Sequence, residues 1–336
     1  MKVYEIQGEF GYDNLKIAER PDPEPGPGKV VVKVSATSLN YRDHLMITGA
    51  YNPRQPLPLV PVSDGVGRVE AIGDGVRGLE VGDRVCGIFA QAWLGGKPTA
   101  ERIRSTLGGP LDGMLAEKVC LNASGVIAVP EHLTDEQAAT LPCAGVTAWN
   151  GLVKYDPVTA GQRVLLLGTG GVSIYGLQLA KALGAEVFIT SSSDEKLERA
   201  RELGADHTIN YRSDENWGKT VRKLTGGVGV DCILEVGGAG TLANSLRAIT
   251  PGGQIVLIGV LQGDAKTPNL TSAFMNSVRL QGLFVGNRDD FESLNRAVVT
   301  HRIEPVVDQV FPFTEAPAAF NHFAAGKHFG KVVIRH

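Results

Sequence analysis

The sequence predicts an α/β protein in which a mostly-β region accompanies a doubly wound parallel sheet. In roughly the first 130 residues, short apolar strands alternate with glycine-rich turns, which is typical of a partly closed antiparallel barrel. Further along, apolar strands alternate with segments of helical periodicity, and a parallel sheet needs such helices as crossovers. The length of 336 residues is enough for two domains.

Composition and charge indicate an ordinary globular protein. The chain is 43% hydrophobic and 21% charged, and its formal net charge of −3 indicates no nucleic-acid or membrane-surface partner. No apolar run approaches the length of a membrane span and no signal peptide is recognisable, so we expect a cytoplasmic protein. The four cysteines have no CxxC spacing and are expected to be free thiols.

The elements of the β region follow from alternation and turn residues. Residues 1–6 alternate like a first strand, and the turn Pro-Gly-Pro-Gly at 25–28 precedes a valine-rich strand at 30–34. Further strands are predicted at 65–73 and 81–85, each beside glycine. The sequence therefore predicts short strands with tight connections up to about residue 130.

A strand–turn–helix–strand unit at 164–190 is the most informative local pattern. Four apolar residues at 164–167 predict a buried strand, and apolar residues recur every three positions from Ile174, which predicts a helix. Gly168 and Gly170 fill the first two positions of G-x-G-x-x-G, while Ser173 stands at the third. Such a turn holds a pyrophosphate at a helix N-terminus, unless it is merely a tight turn. The residues of the predicted pyrophosphate turn are Gly168, Thr169, Gly170, Gly171 and Val172.

The residues after the second strand favour NADP(H). An NAD-binding unit usually carries an acidic residue about 20 positions after the glycines, and here Ser192 occupies that place. A serine hydroxyl does not repel a 2′-phosphate, and Lys196 follows one helical turn later. The alternative is that these serines only cap the next helix.

Strands and helices then alternate to the end of the parallel-sheet region. The predicted helices are 194–203, 217–224 and 241–249, and the predicted strands are 207–211, 231–236 and 254–259.

Short motifs follow one another in a familiar order along nearly the whole chain. They lie at 25–30, 39–43, 65–69, 81–85, 141–149, 168–172, 204–207, 251–253 and 330–333. In these motifs the chain resembles the medium-chain dehydrogenase/reductase superfamily, in its zinc-independent, quinone-oxidoreductase-like (zeta-crystallin-like) branch.

The resemblance implies a domain plan and a partner. A GroES-like catalytic domain at 1–128 and 286–336 would be interrupted by a Rossmann NADP-binding domain at 129–285, with a crossover helix at 142–149. Nicotinamide and substrate would meet in a cleft between the domains. The resemblance also implies a homodimer that is joined edge to edge near a strand at 281–285.

The resemblance also indicates that neither zinc site is present. Asn40 and Ser63 stand where zinc-dependent members have a cysteine and a histidine, and only Cys143 matches a ligand. The segment 91–113 lacks the four cysteines of a structural site and could instead be a lid, a subunit contact or a surface loop. Without a Lewis acid, the expected reaction is hydride transfer to a small-molecule acceptor, either a quinone or an α,β-unsaturated carbonyl. The alternatives are an atypical alcohol dehydrogenase or carbonyl reductase, and an NADPH-binding protein with little turnover.

The resemblance supplies the remaining candidate residues. Asn40 and Tyr51 match positions that line the substrate cleft, and Asp43 flanks Asn40; the alternatives are a turn-forming asparagine and a packed aromatic side chain. Arg288 and Lys331 are basic candidates for the cofactor phosphates, unless they are surface charges. The other candidate cofactor residues are Thr147, Tyr211, Gly259, Val260, Leu261, Phe284 and Val285.

Overall fold

The computed structural model describes residues 1–261 and 269–336, and it divides into two compact units. Unit 1 comprises Met1–Val146 and Val285–His336, and unit 2 comprises Thr147–Phe284. The first boundary lies well after the expected position at residue 128. Residues 129–146 stay with unit 1 because they bond to it: the Arg84 guanidinium pairs with Asp135, and the Cys143 N–H donates to Asp64.

The first stretch of unit 1 consists of short strands and three short helices. The predicted strand at 81–85 begins later, because Glu80 and Asp83 close a turn through a 2.8 Å bond from the Glu80 N–H. The elements are β1 (Lys2–Ile6), β2 (Leu15–Glu19), β3 (Lys29–Ser38), α1 (Tyr41–Ile47), β4 (Asp64–Ile72), β5 (Arg84–Gly87), α2 (Ala100–Ile103), β6 (Lys118–Asn122), β7 (Val126–Ala128) and α3 (Asp135–Ala138).

Unit 2 is a single parallel sheet with helical crossovers. A π-helical turn at Leu141–Gly145 leads into its first helix, in place of the continuous crossover helix expected at 142–149. The elements are α4 (Val146–Val153), β8 (Arg163–Leu166), α5 (Gly171–Ala182), β9 (Glu186–Ser191), α6 (Asp194–Glu202), β10 (His207–Asn210), α7 (Trp217–Leu224), β11 (Val230–Glu235), α8 (Ala239–Ala248), β12 (Ile249–Leu257), α9 (Thr271–Met275) and β13 (Arg279–Gly282).

The strand order of unit 2 is β10-β9-β8-β11-β12-β13, with every neighbouring pair parallel. This is the Rossmann order 3-2-1-4-5-6. The chain adds β9 and β10 on one side of β8 and then β11 to β13 on the other, so the strand order reverses between β8 and β11. Ligands of such sheets bind beyond the carboxyl ends of the strands at this reversal. The predicted pyrophosphate turn follows β8 and therefore lies at that place.

The chain then returns to unit 1 and completes its sheet. Its last elements are α10 (Arg288–His301), β14 (Val307–Pro312), α11 (Ala316–Ala324) and β15 (Lys331–Arg335). The strand order is β14-β15-β3-β4-β5-β7, with β6 also beside β3, and only β14 and β15 are parallel. The predicted fold class, a GroES-like domain with a Rossmann domain, is confirmed. Within the described residues, no helix combines the length and the apolar character that a bilayer span demands.

The segment 91–113 is fastened to the start of α10. The backbone N–H groups of Arg288 and Asp289 donate to the carbonyls of Trp93 and Leu94, at 3.1 and 3.2 Å. The indole of Trp93 donates to Gly96 within the segment. Its role as a lid or a subunit contact stays a prediction.

Candidate functional site

The glycine-rich turn of unit 2 has the geometry of an anion site. Gly168 adopts a φ of +73°, which a side chain would strain, and a Cβ built at Gly168 or Gly170 would meet nothing within 4 Å. Helix α5 begins at Gly171, so its first N–H groups, which lack helical acceptors, lie at this open turn. Backbone donors with free approach fit a pyrophosphate without needing a side-chain charge.

The close packing of α5 on the sheet is supplied by two residues. Ser173, in place of the third fingerprint glycine, is buried and donates its hydroxyl to the Leu167 carbonyl at 2.6 Å. Gly176 provides the close approach, because a Cβ there would lie 2.8 Å from a methyl carbon of Leu166 and 3.1 Å from one of Leu234. Sequence reasoning missed Gly176; the available signal is a glycine on the apolar face of a predicted helix.

The serines after β9 have different roles. Ser193 caps α6, because its hydroxyl accepts the Lys196 N–H at 3.4 Å. Ser191 lies 3.4 Å from the Thr169 hydroxyl, at the pyrophosphate turn. Ser192 is half-buried, and its hydroxyl has no hydrogen-bond partner among the described residues. The capping alternative therefore applies to Ser193, and Ser192 remains available to a ligand.

Other candidate cofactor residues lie at the same end of the sheet or at the unit boundary. The Tyr211 N–H donates to the Ser191 carbonyl at 3.0 Å, which places Tyr211 beside the serines. The candidate segment after β12 is tied to the end of β11 by the N–H groups of Gly259 and Leu261, and the Val260 side chain within it is 62% exposed. Thr147, which is buried, and Phe284 are the first and last residues of unit 2, and Val285 resumes unit 1.

A buried carboxylate next to the reversal point escaped sequence reasoning. Glu235 ends β11 and accepts the N–H groups of Gly237 and Gly238 at 2.9 and 3.1 Å, together with the hydroxyls of Thr241 and Ser245. Burial raises its pKa, and these four donors oppose the shift. Glu235 thus shapes the glycine turn that follows β11; an acidic residue at the end of an apolar strand was the available signal.

In unit 1, sheet register assembles a buried polar network around Asn40. β15 pairs with β3 in antiparallel register, with Val333 opposite Ser38. The same register, continued two residues past the end of β3, places Lys331 opposite Asn40. On the other side of β3, Ser38 lies opposite Asp64, the first residue of β4. The end of β3 is thus flanked by a lysine and an aspartate.

Hydrogen bonds join these side chains into one network. The Lys331 ammonium donates to the Asn40 Oδ1 and to the Leu39 carbonyl, both at 2.6 Å. The Asn40 Nδ2 lies 3.4 Å from the Ser63 hydroxyl, which donates to Asp64 at 2.8 Å. The second Asp64 oxygen accepts the Cys143 N–H at 3.1 Å. The structure therefore brings together the three positions that resemble zinc ligands.

Asp43 lies inside this network rather than at its surface. Its side chain is fully buried, and its oxygens accept the N–H groups of Asn40 at 2.8 Å and Ser63 at 3.3 Å. The first bond also closes a capping box at the start of α1. Burial raises the pKa of Asp43 to about 6, opposed by the charge of Arg42 and assisted by Asp64. This placement corrects the expectation of a catalytic Asp43, because neither oxygen is open to a substrate.

Opposite charges balance within the network. Burial raises the pKa of Asp64 and lowers that of Lys331, and in each case the other residue's charge opposes the shift. Burial also raises the pKa of the Cys143 thiol, and Asp64 adds to that shift. This environment therefore disfavours the thiolate form of Cys143.

Tyr51 lies past the end of α1 and folds back over its first turn. The Arg42 guanidinium lies 5.0 Å from the ring centre of Tyr51 and 5.1 Å from that of Phe89. The same guanidinium donates to the Leu107 carbonyl at 2.9 Å and to the Thr106 hydroxyl. Tyr51 is 45% exposed, and its phenol has no hydrogen-bond partner among the described residues. Its role at the substrate cleft stays a prediction.

The two basic candidates for cofactor phosphates have other partners. Arg288 donates to the carbonyls of Ser124 and Val126 and pairs with Glu292 at 2.9 Å. Lys331 is 3% exposed and serves Asn40. Both side chains are held inside unit 1, so the expectation that they bind phosphate does not fit their positions, and neither is a simple surface charge.

The donor set around Asn40 does not fit Zn²⁺. Its three ligand-like positions carry an amide, a hydroxyl and a single thiol, and the amide oxygen is already bonded to an ammonium. Within residues 1–261 and 269–336, no group of three or more histidine, cysteine, aspartate or glutamate side chains is placed to hold a metal ion.

Two family models match this chain. Residues 26–131 match the alcohol dehydrogenase GroES-like domain, and residues 171–300 match the zinc-binding dehydrogenase family. The first match lies in unit 1, and the second covers most of unit 2 and α10.

Individual relatives match over nearly the whole length. A zinc-type alcohol dehydrogenase-like protein of Schizosaccharomyces pombe is 44% identical over 332 residues, which are 97% of this chain and 96% of the relative. A crystal structure of a candidate alcohol dehydrogenase from Sinorhizobium meliloti 1021 has a TM-score of 0.93 and 45% identity, covering 100% and 98% of the two chains. A mycobacterial protein complexed with NADPH has a TM-score of 0.83 and 29% identity, covering 100% of both chains. The chain therefore belongs to the medium-chain dehydrogenase/reductase superfamily of NAD(P)-dependent oxidoreductases, among its zinc-type alcohol dehydrogenase-like members.

Proposed function

We propose that this oxidoreductase uses NADPH to reduce a quinone or an α,β-unsaturated carbonyl compound, without zinc. The observation that carries the proposal is the Lys331 ammonium, which lies 2.6 Å from the Asn40 Oδ1 among the ligand-like positions. A buried cation bonded to this oxygen opposes the binding of Zn²⁺ beside it. An acceptor that delocalises its own developing negative charge has less need of a Lewis acid.

Each unit contributes separate groups to this reaction. In unit 2, the turn from Gly168 to Val172 would hold the pyrophosphate by its N–H groups. When bound, NADPH supplies a hydride. In unit 1, the Asn40 Nδ2–H would donate to the acceptor oxygen, where negative charge develops as an acceptor carbon gains the hydride and its π electrons shift. A proton from water or the Tyr51 phenol would then neutralise that oxygen or an enolate carbon.

The preference for NADPH is proposed from the residues after β9. No carboxylate occupies the place of Ser192, and its hydroxyl is free to donate to a 2′-phosphate. Lys196 stands in the first turn of α6 and adds a positive charge near this end of β9. The mycobacterial structure with NADPH supports the same coenzyme for this chain.

A second candidate function is an alcohol dehydrogenase or carbonyl reductase of atypical type. The similarity to the zinc-binding dehydrogenase family, and to relatives that are described as alcohol dehydrogenases, favours this second function. It requires the protein to stabilise an alkoxide of an unactivated substrate, for which the site around Asn40 offers an amide instead of a metal.

The experiment that tests these functions is NADPH oxidation by chelator-treated protein. The acceptors are an ortho-quinone, an alkenal and a simple ketone, each with and without added Zn²⁺. We expect turnover of the quinone or the alkenal without metal. Turnover of the ketone alone would favour the carbonyl reductase, and activity that requires zinc would refute the metal-free proposal. Tight NADPH binding without turnover of any acceptor would indicate a binding protein.

We also propose a cytoplasmic homodimer that is joined through β13. This strand is the edge of the unit 2 sheet, so its outer backbone groups are available for pairing. Phe274 and Met275 on the preceding helix are 74% and 79% exposed, which fits burial against a second copy. All four cysteines are free, as predicted, which suits a reducing compartment. Sedimentation velocity of the protein and of a Met275→Glu variant tests the dimer.

A further inference from the structure

The amide of Asn40 is held in one orientation by Lys331. An ammonium group has only donors, so the atom of the Asn40 amide that faces it at 2.6 Å must be the oxygen. The Asn40 NH₂ group therefore points away from Lys331. The ammonium is itself held in place by a second bond, to the Leu39 carbonyl at 2.6 Å.

One N–H of that NH₂ group remains for an incoming ligand. The Asn40 Nδ2 is 3.4 Å from the Ser63 hydroxyl and also donates to the Asp64 carboxylate next to it. The Ser63 hydroxyl and an Asp64 oxygen are only 2.8 Å apart, so we infer that they lie on one side of the NH₂ group and compete for one of its two N–H groups. The Asn40 NH₂ group has no acceptor besides Ser63 and Asp64 among the described residues, so the second N–H is left for a ligand. Asn40 also keeps 8% of its surface exposed, whereas Asp43 and Asp64 are fully buried.

We propose that Lys331 is a positioning residue of the reductase: it holds the Asn40 amide so that an N–H faces the acceptor oxygen, and it polarises the amide into a stronger donor. This inference rests on the proposed function. Without Lys331, the Asn40 side chain could rotate and present its oxygen, which would repel the negative charge on a reduced acceptor. A neighbouring cation also withdraws electrons through the amide and so strengthens its N–H donors.

The acceptor class decides how much this donor contributes. Reduction of an alkenal places the charge on a single enolate oxygen, which depends on a hydrogen-bond donor. Reduction of an ortho-quinone spreads the charge over an aromatic system with two oxygens, so it depends less on one donor. A general loss of structure would lower both activities alike.

A double-mutant cycle tests the proposal. The variants are Lys331→Met, Asn40→Ala and the pair, with the kcat for an alkenal and an ortho-quinone measured at saturating NADPH. We expect Lys331→Met to lower the alkenal kcat by about 10- to 100-fold and the quinone kcat less, with the Kd for NADPH within about twofold. In the Asn40→Ala background, the same Lys331 change should alter the alkenal kcat by less than about twofold. Equal losses in both backgrounds, or no loss, would overturn the proposal.

Three further variants separate positioning from folding. Lys331→Met leaves the carboxylates of Asp43 and Asp64 buried with less positive charge around them. The double variant Lys331→Met/Asp64→Asn removes one positive and one negative charge together, so the network stays balanced. The single variant Asp64→Asn is its control. Lys331→Arg retains the charge and should recover part of the alkenal kcat. Asn40→Asp keeps an oxygen for Lys331 but lacks the N–H donor, so it should lose alkenal turnover. Because it also sets a carboxylate oxygen against Asp64, circular dichroism checks that this variant is folded.

A measurement without turnover separates this inference from the proposed function. The side-chain amide protons of Asn40, identified by their absence in Asn40→Ala, can be followed by NMR on ¹⁵N-labelled protein. We expect them to exchange with solvent at least about tenfold faster in Lys331→Met than in the natural sequence. An unchanged rate would overturn the positioning role even in an active enzyme. An inactive protein with faster exchange in the variant would instead overturn the proposed function alone.

Discussion

The pyrophosphate turn of unit 2 and the Asn40 network of unit 1 are built in opposite ways. The turn consists of adjacent residues, Gly168 to Val172, and its donors are backbone N–H groups. The network joins residues just past the end of β3, at the start of β4, in the π-helical turn and in β15, so its members are distant in the chain. The comparison teaches that an anion site needs local backbone shape, whereas a site for developing charge here needs several strands in register.

The two regions also differ in how they treat charge. The turn can hold an anion with partial charges from a helix N-terminus and needs no buried ionised group. The network buries two carboxylates together with the cations of Lys331 and Arg42, and removal of one member leaves the others uncompensated. We therefore expect changes at the turn to act on steric fit and changes in the network to depend on pH.

The largest expected effect separates packing from binding within α5. Gly176→Val places a branched side chain where a Cβ alone would lie 2.8 Å from buried Leu166, so we expect a loss of about 3 kcal/mol in the free energy of unfolding. Urea denaturation followed by circular dichroism measures it. Gly170→Ala is the matched control, because its Cβ meets no atom and its φ of −80° suits alanine.

The control should change the other property. Gly170→Ala should keep the free energy of unfolding within about 1 kcal/mol and weaken NADPH binding by tenfold or more, since the methyl group lies where a pyrophosphate would approach. A Gly176→Val protein of unchanged stability, or a Gly170→Ala protein with full NADPH affinity, would show that the roles of the two glycines are wrongly divided.

How much could be predicted differs between the two regions for the same reason. Strand β8, the turn and α5 were predictable because buried apolar runs and glycine spacing are local signals. The position of Asn40 was suggested by resemblance, but its bond to Lys331 was not, because it depends on the β3–β15 register. Lys331 was instead expected to bind phosphate, since a lone basic residue in a sequence carries no sign of burial.

The second prediction uses the charge of Asp43. Its pKa is about 6 in the folded protein, against an ordinary value of 3.8, because burial disfavours the ionised form. A raised pKa adds stability that is fully present below pH 3.8 and is lost as the pH rises through 6. The free energy of unfolding of the natural sequence, minus that of Asp43→Asn, should therefore fall by about 2 kcal/mol between pH 4 and pH 7.

The pH dependence distinguishes charge from hydrogen bonding at Asp43. Asn can accept only one of the two N–H groups that Asp43 binds, so the variant should be less stable at every pH. That constant loss does not alter the slope of the difference. Denaturation curves at several pH values between 4 and 7 measure both, and a difference that does not vary with pH would contradict the buried, raised pKa.

The smallest expected effect concerns coenzyme choice. Ser192→Asp with Lys196→Ala puts a carboxylate where the free Ser192 hydroxyl lies and removes a nearby cation. Repulsion of the 2′-phosphate should lower the ratio of kcat/KM for NADPH to that for NADH by about tenfold, or about 1.4 kcal/mol.

The adjacent Ser193→Ala is the control. It removes the cap of α6 and should cost about 1 kcal/mol of stability while leaving the coenzyme ratio unchanged, because the Ser193 hydroxyl is already bonded to the Lys196 N–H. An unchanged ratio in the double variant would mean that the 2′-phosphate is read elsewhere, and Arg212, exposed beyond the end of β10, would be the next residue to change.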